Sequence, residues 1–296
     1  MVSVCVGHGN IVAVPELPEM QALGERLDAF AAGRVITKGQ LLSFSTLKTV
    51  SPEVDELYGH ALIGVTRRAK YLIFTFDHGL RLVLHLSQAG RVDVEDPPKT
   101  TKPKGAVTRL VFEGDGTERA ILVREFGTQR KASWWVLAPG DQGPLEGLGP
   151  EAGSVEFAEL IRTSDSNRRL HSDLRDQHVV SGIGRGWGDD ILHRAHLSPY
   201  STLRGLDGAQ REALIVATTE VLEAALALER TREGGLSESK LGGRFAVHGR
   251  FGQLCPTPCG DTLERVSFES YEMTYCPTCQ TGGKTLADRR LSRLLK

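Results

Sequence analysis

Two sets of residues in this 296-residue chain have the types and spacing to do chemistry. The first is Cys255-Pro-Thr-Pro-Cys259, followed after sixteen residues by Cys276-Pro-Thr-Cys279. Two close thiolate pairs, folded together by an intervening hairpin, make a tetrahedral zinc site, and SFESYEMTY between them has strand-like composition. Four protein ligands leave no open coordination position, so one structural zinc ion is expected. Four unligated cysteines at this spacing are the weaker alternative, and disulfides the weaker use in a chain without a secretion signal. The second set is Pro15-Glu-Leu-Pro-Glu19. A proline at the first position of a chain is a free secondary amine, a base and a nucleophile; inside a chain its nitrogen is an amide and neither. PELPE is therefore either an ordinary helix entry, begun by Glu16 and Pro18, or the working start of the protein.

The elements around these residues follow from periodicity. After Pro18, Met20, Leu23, Leu27 and Phe30 recur at helical spacing and Gly33 closes the segment. From Val35 to Trp135 the pattern turns to strands. YLIFTF and RLVLHL read as a hairpin across DHGL, and RLVFE and ERAILV as another across GDGT, so an antiparallel sandwich or barrel is expected. Residues 137–154 are rich in glycine and proline and read as a linker. VEFAELI, LHSDLRDQ and a long segment near Ala209 to Glu233 are helical, the last with Leu214, Val221, Leu222 and Ala225 on one side.

The composition, 40% hydrophobic and 25% charged with net charge −1, is that of a globular protein and argues neither for nor against a polyanion. Basic residues cluster at Arg67, Arg68 and Lys70, at Lys102 and Lys104, and in the tail; such runs are most often solvated faces. No apolar run approaches the ~20 residues that span a bilayer. No membrane association and a cytoplasmic location are expected.

The order of PELPE, RRAKYL, REFG, LGPE, LRDQHVVSGIG, HGRFG and the cysteine pairs resembles the formamidopyrimidine-DNA glycosylase and endonuclease VIII superfamily of base-excision repair enzymes, from Pro15 to Gln280. The resemblance implies an α+β multidomain fold: an N-terminal antiparallel β-sandwich with one long helix, a helix-two-turns-helix domain and a C-terminal zinc-finger hairpin. It implies residues 15–136 as the catalytic β-sandwich domain, 137–154 as linker, 155–247 as the helix-two-turns-helix domain, 248–284 as zinc finger and 285–296 as basic tail. It also implies roles. Pro15 is the nucleophile that forms a Schiff base at C1′, Glu16 the acid/base, and Lys70 a phosphate contact beside the lesion. Arg124 and Phe126 fill and wedge the duplex where a nucleotide is flipped out. The implied partner is double-stranded DNA carrying damaged bases or abasic sites, bound by a monomer.

Several positions depart from the family's pattern. Val14 acylates Pro15 in the chain as written. Valine is what a GUG codon encodes, so residues 1–14 are expected to be a mis-annotated or removable extension, with translation starting at position 14 and its methionine removed. Arg185 and Trp187 stand where the family has asparagine and tyrosine, and arginine still binds phosphate with a different geometry. Tyr271 replaces the arginine of the zinc hairpin, Gln88 a void-filling methionine, and His171 a lysine; these positions remain expected DNA contacts. The segment Gly234 to Val247 is shorter than the family's lesion-covering loop. The expected function is a bifunctional DNA glycosylase and abasic-site lyase of open lesion choice. A non-catalytic damaged-DNA-binding paralogue is the alternative, and an RNA-associated zinc-ribbon protein leaves PELPE, RRAKYL and REFG unexplained.

Overall fold

A computed structural model of the chain describes residues 14–126, 131–236, 243–268 and 271–287. Residues 1–13 of the expected extension, and the tail beyond residue 287, lie outside the described residues.

The helix entry in PELPE forms as the residue types dictate. Glu16 is the N-cap of α1 (Leu17–Ala31), Pro18 sits in the first turn, and the Glu19 carboxylate accepts the Glu16 N–H at 2.8 Å. Proline costs nothing there because the first-turn N–H groups have no helical partner. Met20, Leu23 and Leu27 come round on one face and are fully buried.

That face lies on a sandwich of two four-stranded antiparallel sheets. One has the order β1 (Val35–Leu41), β6 (Ala106–Gly114), β7 (Thr117–Glu125), β5 (Gly90–Glu95). The other runs β2 (Leu62–Arg68), β3 (Tyr71–Phe76), β4 (Arg81–His85), β8 (Ser133–Leu137). Both expected hairpins form, with Tyr71 opposite His85 and Gly114 opposite Thr117. Phe74, Leu84 and Trp134 from one sheet meet Leu110, Phe112 and Ile121 from the other in a single core. Trp134 is fully buried and its indole N–H reaches Thr46 Oγ1 at 3.3 Å, so no polar atom is stranded by its burial. Truncating it to alanine would cost about 3–5 kcal/mol.

A second core is helical. It joins α2 (Val155–Thr163), α3 (Leu170–Arg175), α4 (Arg185–Arg194) and α5 (Gly208–Arg230) through Phe157, Leu174, Ile191, Leu214 and Leu222. Leu17 of α1 belongs to this core, so the first turn of α1 ties the two halves together. The cysteine pairs flank an antiparallel hairpin, β9 (Glu264–Phe268) and β10 (Tyr271–Tyr275), followed by the short α6 (Pro277–Thr281).

The stretch read as a linker is docked rather than free. The Glu151 carboxylate accepts from Arg67 Nη1 at 2.7 Å and Arg68 Nη1 at 2.5 Å, and also from the Ala69 N–H. Arg68 Nη2 reaches the Gly149 carbonyl at 2.6 Å. Arg67 and Arg68 are thereby tied within the protein rather than presented as a freely solvated face. Among the described residues no helix is long and apolar enough to cross a membrane.

Candidate functional site

The N-terminus of α4 is built against the N-terminus of α1, and their junction forms one wall of a pocket of about 270 Å³. Glu16, 2% exposed, turns its carboxylate onto the first turn of α4, where it accepts the Gly184 N–H at 2.5 Å and the Gly186 N–H at 3.1 Å. A helix N-terminus favours negative charge, and a carboxylate on unsatisfied N–H groups is a stable arrangement. The approach requires glycine: a Cβ on Gly184 would lie 2.4 Å from Glu16 Oε1, and one on Gly186 would lie 2.1 Å from Phe245 Cζ. Gln177, of LRDQ, holds this turn in place by accepting the Gly182 N–H at 3.0 Å and donating to the Ile183 carbonyl at 2.7 Å.

Glu19, the second acid of PELPE, is fully buried behind Glu16. Trp187 Nε1 donates to it at 3.2 Å, and Arg244 Nε pairs with it at 3.0 Å. Burial raises its carboxyl to about 7, against the pull of Arg244. Arg244 also donates from Nη2 to the Val14 carbonyl at 2.6 Å. Pro15 is buried and does not itself line the pocket, whereas Val14 does.

The rest of the lining is cationic. Lys70 comes from the two-residue turn between β2 and β3, where Ala69 has φ +53°, and Arg185 opens α4. Both line the pocket with Arg175 from the end of α3. Burial pushes the Lys70 ammonium down, and the carboxylates of Glu16 and Glu19 oppose it. His85 and His248 also line it. Burial, then Lys70, pushes His85 down to about 4, so its ring is neutral at pH 7. Burial also lowers His248, but Asp189, 2.6 Å from its Nδ1, outweighs that and raises it. Gln88, in the turn after β4, lines the pocket from an exposed position. One carboxylate among several cations is an arrangement that holds a phosphate-bearing ligand and moves protons beside it.

Other expected site residues fall elsewhere. Arg124 and Phe126, at the end of β7, do not line the pocket; the guanidinium lies 4.8 Å from the centre of the Phe126 ring and pairs with Asp93 at 2.5 Å. Phe126 is 55% exposed and is not a core aromatic. His171 and Tyr271, also expected at DNA, are buried. His171 pairs with Asp189 at 3.2 Å and stacks on Tyr271. Tyr271 carries Arg175, whose Cζ lies 3.8 Å from the ring centre, so it supports a cation of the pocket. The shape of these two residues serves the junction between α3, α4 and the zinc hairpin.

The same junction is closed by the two aspartates of GWGDD. Asp190 accepts the N–H groups of Ala246, Val247 and His248 at 2.6, 2.9 and 3.0 Å, and Asp189 accepts the Thr274 N–H at 3.0 Å. Burial would raise Asp189, but hydrogen bonds and charge from His171 and His248 hold it low. Helix α4 therefore presents its N-terminus to Glu16 and its first two turns to the cysteine module.

The four cysteines converge. Cys255 and Cys279 Sγ lie 3.8 Å apart, and Cys259 and Cys276 Sγ lie 3.6 Å apart. Four thiolates at a Zn–S distance of about 2.3 Å from one tetrahedral ion have edges of about 3.8 Å, which these two pairs match. Cys255, Cys276 and Cys279 also lie with His193 as a group whose ligand atoms are all within 4.8 Å of one another, a soft donor set that fits zinc. Leu263 and Val247 pack beside them, and His193 Nε2 of α4 approaches Cys255 Sγ to 3.2 Å.

The chain's relatives agree with this architecture. Residues 14–129 match the family model described as the formamidopyrimidine-DNA glycosylase N-terminal domain. A formamidopyrimidine-DNA glycosylase of Synechococcus is 31% identical over 288 residues, covering 90% of this chain and 99% of the relative. An uncharacterized formamidopyrimidine-DNA glycosylase-like protein of Mycobacterium tuberculosis is 43% identical over 150 residues, covering 50% of this chain and 94% of its own length. The fold is that of the Lactococcus lactis formamidopyrimidine-DNA glycosylase solved non-covalently bound to DNA containing an abasic site. The TM-score is 0.77 at 23% identity, with 90% of this chain and 99% of that one covered. The chain belongs to the formamidopyrimidine-DNA glycosylase family.

Of the residues singled out from the sequence, Glu16, Lys70, Gln88 and Arg185 line one pocket; Glu19, Arg175, Arg244 and His248 were not foreseen. Arg175 and His248 lie inside LRDQ and HGRFG, so a signal existed. Arg244 lies in a mixed glycine-rich segment whose pattern carries none.

Proposed function

We propose that this protein is a base-excision repair DNA glycosylase with abasic-site lyase activity, acting through the amine of Pro15 in a chain that starts there. The observation that carries the reading is the seating of Glu16, next to Pro15, on the N-terminus of α4, in one pocket with Lys70, Arg175 and Arg185. The substrate class is double-stranded DNA with a damaged base or an abasic site. The cations take the phosphates flanking the lesion, while Phe126 and Arg124 enter the gap left by the flipped nucleotide.

A secondary amine with pKa near ~8 is partly unprotonated at neutral pH, and attacks C1′. The base leaves, the sugar ring opens with Glu16 exchanging the protons, and an iminium joins Pro15 to C1′. That cation acidifies C2′, and elimination of the 3′ phosphate cleaves the strand. Cys255, Cys259, Cys276 and Cys279 would hold a zinc ion that supplies only structure, fixing the hairpin that carries Tyr271 and through it Arg175.

Incision of an abasic-site duplex by a chain made to begin at Pro15 tests the reading. Incision supports it. Tight binding of that duplex without incision would favour the rival, a damage-binding paralogue, for which the acylated Pro15 of the chain as written is the motivating observation.

A further inference from the structure

Arg244 holds the carbonyl of Val14, and that carbonyl is attached to the nitrogen assigned above as the nucleophile. Nη2 donates to the Val14 oxygen at 2.6 Å, Nε pairs with Glu19 at 3.0 Å, and the guanidinium lies 4.5 Å from the centre of the Phe245 ring. The side chain is 1% exposed, and Nη1 is buried with no hydrogen-bond partner among the described residues. A fixed, buried guanidinium with a spare donor, aimed at an oxygen beside Pro15, is arranged for more than packing.

The Val14–Pro15 amide has the connectivity of a reaction intermediate. In an adduct with an abasic site, the carbon bonded to the Pro15 nitrogen is C1′, and the oxygen on that carbon is the former aldehyde oxygen. The Val14 carbonyl carbon stands in for C1′ and its oxygen for that oxygen, planar where the adduct is tetrahedral. We infer that Arg244 is a catalytic residue of the Schiff-base step, binding the C1′ oxygen through Nη2 while negative charge develops on it; this rests on the functional reading above.

The step balances without any further reagent. The Pro15 lone pair forms the N–C1′ bond as the C=O π pair moves to oxygen, and the amine proton follows it, giving a carbinolamine. The C1′–O bond then breaks with its electron pair, the oxygen leaves as water after taking one more proton through Glu16, and the nitrogen lone pair closes the iminium. Charge on that oxygen rises in both half-steps, which is where a preorganised donor in a dry site accelerates a reaction. Glu19 fixes the guanidinium from behind, and its backbone bond to Glu16 places both on the same turn of α1. In the chain with residue 14 present, the Val14 oxygen fills the place of the substrate's.

The test uses the chain beginning at Pro15 and two substitutions, Arg244→Met and Arg244→Lys. Borohydride trapping of an abasic-site duplex is followed under single-turnover conditions, alongside affinity for a duplex with a tetrahydrofuran residue, which has no oxygen on C1′ beyond the ring. The expected result is trapping slowed about 10²-fold by Arg244→Met, with tenfold or more recovered by Arg244→Lys. Tetrahydrofuran-duplex affinity and one zinc per chain should be retained throughout. Unchanged trapping in Arg244→Met, or a slowing matched by the same loss of tetrahydrofuran-duplex affinity, overturns the inference alone. No trapping by the unsubstituted chain overturns the functional reading and the inference with it.

Discussion

The Glu16 carboxylate and the Gly184 N–H meet at 2.5 Å, across 168 residues of sequence, and this contact joins the sandwich to the helical core at the pocket. Because Gly184 has φ −124°, alanine is tolerated there by the backbone, and the atoms nearest its Cβ would be those of the Glu16 carboxylate. Gly184→Ala should therefore move Glu16 without unfolding α4. Strand incision at abasic sites should fall roughly 10²-fold, the usual cost of misplacing a reacting group by an ångström, while the thermal midpoint stays within a few degrees. Equal incision rates would show that Glu16 has no part in the proton transfers.

Salt dependence tests the cationic wall. Replacing Arg185 with glutamine should weaken binding to all lesion duplexes alike and lower the slope of log K against log salt by about 1. Titrations at several ionic strengths read this directly. An unchanged slope would place Arg185 away from phosphate.

His85 carries a pH dependence whose sign is fixed by its depressed value of about 4 against 6.5 for an ordinary histidine. Between pH 6.5 and 4 the unfolded chain binds a proton that the folded one refuses, so this residue's contribution to stability is full above 6.5 and is lost as pH falls. Glu19, raised from 4.5 to about 7, acts in the opposite sense, since the folded chain holds its proton more tightly. The two offset one another in the intact protein. Comparing His85→Gln with the intact protein cancels Glu19: the variant should gain on it by up to about 3 kcal/mol from pH 6.5 to 4. Denaturant melts at four pH values decide it, and parallel curves would mean that His85 titrates normally.

Asp190 clamps the cysteine module by accepting three backbone N–H groups. Asp190→Ala leaves those donors without their acceptor and should destabilise the module by roughly 3 kcal/mol. Hydrogen exchange at residues 246–248 should accelerate, and zinc should pass faster to a competing chelator. Zinc removal from the intact protein should likewise weaken DNA binding while leaving trapping chemistry intact at high protein concentration, because the amine and not the metal reacts.

What was legible in the sequence was what local spacing encodes. The cysteine pairs, the PELPE helix start and both hairpins are short-range patterns, and each formed as read. The burial of His171 and Tyr271 is not short-range: it depends on α3, α4 and the zinc hairpin meeting, and nothing near either residue announces a stack. Arg67 and Arg68 look like a basic patch until Glu151, more than eighty residues on, takes both. Arg244 is the extreme case, a residue in a patternless segment whose meaning appears only when Val14 is found against it.

The central claim is that Pro15, once it is the first residue, attacks C1′. Borohydride trapping on an abasic-site duplex, run with the chain as written and with one beginning at Pro15, addresses it most directly. The account predicts a covalent protein–DNA band from the Pro15 chain and none from the chain in which Val14 acylates the nitrogen. Tight binding by both with no band from either would contradict it and leave a protein that recognises damage without cutting.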